Sequence, residues 1–214
     1  MVQWSHFDQS NDNKAQLRML SRMVRCQPQR RFVLRVNRDP RATWRALEEY
    51  HRKNHGSNWL TSKYLDQGLA TPASVNFKLH CIELFETAQD GTETLLAGEI
   101  GFSVGKVYTS LSGWTQQRTR ERPGKTQLVL LGLWLRKRGY ELWSLGHCYS
   151  PQMEYKRQLG HRIWPREDFR ALLKLHRGPF ELKPELTASE ERGFTRLADG
   201  ESACAEHLLS AHHE

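Results

Sequence analysis

Four basic residues, Lys14, Arg18, Arg22 and Arg25, recur at spacings of 4, 4 and 3. At 100° per residue they fall within an arc of about 80°, with Leu17, Leu20 and Val24 on the opposite side. Such a ladder of cations can track a phosphate backbone, and the same pattern also serves as the solvated face of an amphipathic helix. His51 and His55 are four apart, as metal ligands on one helix face are, but no third ligand accompanies them and no metal is expected. Gly124-Lys125-Thr126 has the end of a phosphate loop, yet the glycine needed five positions earlier is Thr119, which argues against a nucleoside triphosphatase. Arg136-Lys137-Arg138-Gly139 lies at the end of a helical pattern, where backbone amides point the wrong way for a pyrophosphate. No cofactor is therefore expected. Cys26, Cys81, Cys148 and Cys204 are scattered with no Cys-x-x-Cys pair, which predicts reduced thiols.

The elements that must hold these residues follow from hydrophobic periodicity. A helix is predicted over 14–26 and a strand over 31–37, and Asp39-Pro40 can start a helix through Trp44, Leu47 and Tyr50. Residues 59–65 read as a turn and short helix. The centre alternates with period two over 77–85, 95–102 and 107–110, with turns at Gln89-Asp90-Gly91 and Val104-Gly105-Lys106, which predicts an antiparallel meander. Residues 127–138 are apolar almost all round, so this helix is expected to be buried against the sheet, with Gly139 as its cap. A strand over 140–145 and helices over 153–160 and 168–175 complete the pattern.

With 214 residues and 38% apolar side chains, the chain has the size of one domain with its own core. Its net charge of +8 is unevenly placed, because eight acids and only three bases lie from Pro179 onward. The body before Pro179 is strongly basic and suited to polyanions. No run approaches the roughly 20 apolar residues of a membrane helix, and the N-terminus has no basic-then-apolar leader. A cytoplasmic, monomeric protein is the expectation. The chain divides into an extension over 1–13, a domain over 14–178, and an acidic, flexible tail over 179–214.

Several motifs then converge. His80-Cys81-Ile82-Glu83-Leu84-Phe85 resembles the His-Ser-x-Glu-x-Trp strand of the leucyl/phenylalanyl-tRNA protein transferases. Leu95 to Gly101 is similar to their Leu-Val-Gly-Gly-x-Tyr-Gly, and Gly105-Lys106-Val107-Tyr108 to Gly-x-x-Phe. Lys125-Thr126-Gln127-Leu128 matches Ser-Lys-x-Ala-Leu, Gln158-Leu159-Gly160-His161 matches Ser-Leu-Gly-Ala, and Ile163 to Phe169 matches Ile-Pro-Arg-x-x-Phe. Ser57 to Thr61 is similar to Thr-Trp-Ile-Thr, and the basic helix lies where the family contacts tRNA.

The resemblance implies an α+β, acyltransferase-like (GNAT-like) fold, with a mixed, largely antiparallel sheet and packed helices. It implies transfer of Leu or Phe from aminoacyl-tRNA to the N-terminus of an acceptor protein bearing a basic first residue, as in degradation signals. It places Phe85 and Tyr108 in the aminoacyl pocket, Trp4 against the terminal adenine, and Lys14, Arg18, Arg22 and Arg25 on tRNA. Three polar positions differ. The family's glutamate is Leu111, its aspartate is Ser144, which becomes the catalytic candidate, and its glutamine is Gly146. Little sequence precedes Trp4 where the family has an N-terminal domain. These departures leave a catalytically impaired module, binding tRNA or a protein N-terminus, as the alternative expectation.

Overall fold

The computed structural model describes residues 1–26, 31–72, 74–117, 119–148, 151–180, 194–197 and 200–204. Helices α1 (Trp4–Gln9) and α2 (Asn11–Cys26) precede strand β1 (Arg31–Val36), α3 (Pro40–His55) and α4 (Ser62–Leu69). The meander β2 (Lys78–Thr87), β3 (Glu93–Val104) and β4 (Val107–Thr115) follows, then α5 (Pro123–Lys137) and β5 (Leu142–Ser144). Helices α6 (Glu154–Gln158) and α7 (Arg166–His176) lead to strands β6 (Phe194–Leu197) and β7 (Gly200–Cys204).

The strands form one sheet in the order β5-β4-β3-β2-β1-β7-β6. All neighbours are antiparallel except β4 and β5, which run parallel. This is the mixed, largely antiparallel α+β architecture expected of an acyltransferase-like domain. The β6–β7 pair extends it beside β1, in a segment whose sequence shows no alternation.

Period-two alternation sends the strands' apolar residues to both faces. On one face Ile82, Leu84, Ala97 and Tyr108 join a core with Val129, Leu130, Leu133 and Trp134 of α5, which accounts for that helix being apolar all round. On the other face Leu79, Cys81, Ile100 and Trp114 pack with Trp44 and Leu47 of α3 and Leu65 of α4. The first residues pack against the domain core. Val2 bridges to Trp143 and His161, and Phe7 is buried in the α5 core. A Cβ at Gly132 would lie 2.6 Å from the Phe7 ring, so the absent side chain is what lets α1 dock on α5.

Helix α3 is tied to the sheet at its start. Asp39 accepts from the Ala42 amide at 2.8 Å, Pro40 opens the first turn, and Gly56 ends the helix at φ 77°. Buried Glu83 of β2 accepts from the Asp39 amide at 2.9 Å and the Thr43 hydroxyl at 2.8 Å. The carboxylate thereby satisfies helix-end donors and fixes where the last turns of α3 cross the sheet.

Two irregularities shape the far edge. The β3–β4 register shifts between Ile100 and Gly101: Ile100 pairs with Ser112 and Gly101 with Ser110, leaving Leu111 as the extra residue of a β-bulge. Beyond the Thr109–Ser144 pair, β5 leaves β4, and among the described residues no strand covers that edge of residues 110–115, which stay paired with β3 on the other side. Buried Lys156 of α6 holds the departing chain, donating to the Leu145 and His147 carbonyls, the latter at 2.8 Å.

Candidate active site at the open edge of the sheet

Where β5 parts from β4 the molecule has a cavity of about 330 Å³, large enough for an amino-acid side chain. Residues 110–115 of β4 line one side, Gly124, Lys125, Gln127 and Leu128 of α5 a second, and Leu145, Tyr155, Lys156 and Leu159 a third, with Tyr50 of α3 and Glu99 of β3 completing it.

The bulge decides which hydroxyl faces which helix. Strict alternation would put Ser110 and Ser112 on one face; the extra residue at Leu111 turns Ser112 to the α3 side. There the Ser112 hydroxyl is 2.9 Å from His51 Nε2. His51 lies three turns into the helix that Asp39 and Glu83 anchor, and its ring centroid is 5.2 Å from that of His55. Burial first, and then the neighbouring His55, lower the His51 pKa, so its imidazole is neutral near pH 7 and able to accept a proton. The pair unites a hydroxyl on the cavity wall with a neutral base behind it.

On the α5 side Ser110 keeps its alternation and donates to Glu99 Oε1 at 2.8 Å, while Tyr108 donates to the same oxygen at 2.7 Å. The Tyr108 hydroxyl passes over Gly101, where any Cβ would collide with it. Trp143 in turn donates to Ser110 at 3.0 Å. Glu99 is 2% exposed, and burial pushes its pKa up to about 7 against the opposing effect of its hydrogen bonds. The Gln127 side chain reaches the same carboxyl and, like Tyr108 and Ser110, favours its ionised form. Lys125, also lining the cavity, pairs with Asp12 at the start of α2, so the basic helix begins at the rim.

The expected site residues fall in different places. Tyr108 is fully buried on the α5 face before the strands part, and supports Glu99 from behind without lining the cavity. Phe85 lies on interior strand β2 beneath the guanidinium groups of Arg35 and Arg38, at 5.0 and 5.2 Å, and does not line the cavity either. Alternation and strand position thus keep both rings off the wall of this cavity. Ser144 ends β5 beside the cavity-lining Leu145, and its hydroxyl makes a 3.5 Å contact with the Gly146 amide. Leu111, at the family's acidic position, lines the cavity. Trp4 is half-buried, with Nε1 donating to the Tyr140 carbonyl at 2.7 Å and its ring packed edge-on against Phe7. Lys14, Arg18 and Arg22 are exposed along α2; the Arg25 side chain lies outside the described residues.

Glu99 and Ser112 line the cavity and His51 stands behind Ser112, and the sequence does not single these three out as site residues. Only His51 carries a signal, its four-residue spacing from His55. Among the described residues no group of three or more His, Cys, Asp or Glu is arranged to hold a metal ion, and no helix is long and apolar enough to cross a membrane.

A sheet opened between parallel strands, with a cavity in the gap and a helix across one face, defines the protein as an acyltransferase-like domain. Residues 13–174 match the family model for leucyl/phenylalanyl-tRNA protein transferase, and the chain belongs to that family. No curated protein gives a significant match.

Proposed function

We propose that the protein transfers an aminoacyl group from charged tRNA to the α-amine of an acceptor protein at the open edge of β4. Family membership supports the aminoacyl-tRNA class of reaction. The observation that carries the mechanism is the cavity wall on which Ser112 meets neutral His51. The aminoacyl side chain enters the cavity and its ester carbonyl lies beside Ser112 on the cavity wall. The amine attacks the carbonyl carbon, a C–N bond forms, and the C–O bond to the ribose breaks. Ser112 relays the amine proton to His51 Nε2, which returns a proton to the departing ribose oxygen. The ester is already activated, and holding it against the amine can itself contribute about 7–11 kcal/mol. The resemblance supplies the acceptor class, a protein with N-terminal Arg or Lys, and the reference donors, Leu-tRNA and Phe-tRNA.

The test is incubation of charged tRNA bearing a labelled amino acid with such an acceptor. Label at the acceptor's first residue is the expected result. Retention of tRNA without transfer would favour a binding module, the reading to which Leu111, Ser144 and Gly146 at the family's polar positions lend support.

The exposed face of α2 yields a separate expectation. Arg18 and Arg22 project from the helix that starts at the cavity rim, so Arg18→Ala with Arg22→Ala should weaken tRNA binding. The plot of log affinity against log salt should flatten by roughly one unit for each phosphate that is no longer neutralised. An unchanged slope would make this face a solvated surface only.

A further inference from the structure

Past Ser112 the uncovered edge of β4 runs on to Thr115, and the proposed proton transfer gives it no role. Residues of an antiparallel strand alternate between those that hydrogen-bond the partner and those that turn N–H and C=O away from it. The Gln116 amide donates to the Leu96 carbonyl at 2.8 Å, toward β3, so Trp114, two residues back and opposite Gly98, faces β3 as well. Gly113 and Thr115 therefore turn their main-chain groups to the open edge. The reach of the His51 ring to the Gly113 carbonyl agrees with this orientation. Among the described residues, none hydrogen-bonds the Thr115 N–H or C=O from that side. An edge of this kind is a template for another extended chain. On the α3 side the cavity adjoins a second recess of about 430 Å³, and Tyr50, Trp114 and Thr115 wall both.

We infer, on the basis of the transferase reading above, that the acceptor protein docks its first few residues as an extended strand on this edge, pairing its main chain with Gly113 and Thr115. Position fixes the direction. The α-amine must reach Ser112, and on the Thr109 side β5 already covers the edge. The acceptor therefore runs from Ser112 toward Thr115, parallel to β4, in the sheet position that β5 vacates. Its side chains alternate between the two faces, and one on the α3 face enters the second recess. Main-chain pairing supplies affinity that depends little on sequence. The acceptors are thus proteins whose first few residues are free to extend, whatever their sequence beyond the first residue.

The experiment uses the full chain, charged tRNA bearing a labelled amino acid, and decapeptide acceptors with N-terminal Arg. The peptides are unmodified or carry a single N-methyl amide at residue 3, 4 or 8. Successive N–H groups of a paired strand point to opposite sides, so methylation at one of residues 3 and 4 should raise the acceptor KM at least 10-fold. Methylation at the other, or at residue 8, should leave it within 3-fold. Thr115→Pro, which deletes an edge N–H without costing a bond to β3, should raise KM for the unmodified peptide at least 3-fold with tRNA binding unchanged. The peptide series on the wild-type protein decides the point if Thr115→Pro folds poorly. Equal KM values for the three methylated peptides, or a folded Thr115→Pro protein with wild-type KM, overturn the inference and leave the transferase reading standing. No transfer even to the unmodified peptide overturns both.

Discussion

Replacement of His51 by Gln is expected to slow aminoacyl transfer by about 100-fold or more, the usual contribution of a positioned general base. Gln preserves size and a hydrogen-bonding partner for Ser112 but accepts no proton, so folding and tRNA binding should persist while kcat falls. Ser112→Ala should fall similarly, because the hydroxyl lies between cavity and imidazole at 2.9 Å from His51 Nε2. The pH dependence supplies a second signature. Burial and His55 keep the His51 pKa below its ordinary 6.5, so the wild-type rate should hold at neutral pH and decline only on the acid side of that value. That decline should vanish with His51→Gln. Ser144→Ala, by contrast, should change the rate only a few-fold, since that hydroxyl does not line the cavity. A His51→Gln rate within a few-fold of wild type would remove the relay from the mechanism.

The second large effect is on stability. Buried Glu99 has a pKa of about 7 against an ordinary 4.5, so between these values the folded protein binds a proton that the unfolded chain has released. Its contribution is fully present below pH 4.5 and is lost as pH rises to about 7. At 1.36 kcal/mol per unit, the loss is on the order of 3 kcal/mol. Glu99→Gln removes this proton linkage while retaining an oxygen for Tyr108 and Ser110. Urea unfolding should therefore show the variant gaining on wild type as pH goes from 4.5 to 8. Buried His80 and His161, with pKa values lowered to about 3 and 4, slope the opposite way over the acid range, but they are common to both proteins and cancel in the difference. A difference independent of pH would mean that Glu99 is not held protonated by burial.

Local periodicity is enough to read most of the fold. The β2–β3–β4 meander, the buried α5 and the Asp39-Pro40 start of α3 each follow from patterns within a single element. The docking of α1 is not legible, because it depends on one glycine, Gly132, opposite Phe7. The site is less legible still. A two-residue period contains no mark of the bulge at Leu111, yet that residue sends Ser112 to the α3 face and leaves Ser110 with Glu99. His51 and Ser112 are 61 positions apart in sequence and meet only because Glu83 pins the start of α3. Family motifs point to Leu111, Ser144 and Gly146, where the family's carboxylates and carboxamide are missing. The polar groups that line or back the cavity are the neighbours of Leu111 on β4, Ser110 and Ser112, together with Glu99 of β3 and His51 of α3.

The most direct test of the central claim is the intact mass of an acceptor protein with N-terminal Arg after incubation with the full chain and charged tRNA. The acceptor should gain the mass of one amino-acid residue, located at the first position by fragmentation. No gain should occur when the acceptor's α-amine is acetylated or when His51→Gln replaces the wild-type protein. An unmodified acceptor in the presence of demonstrably bound, fully charged tRNA would contradict it.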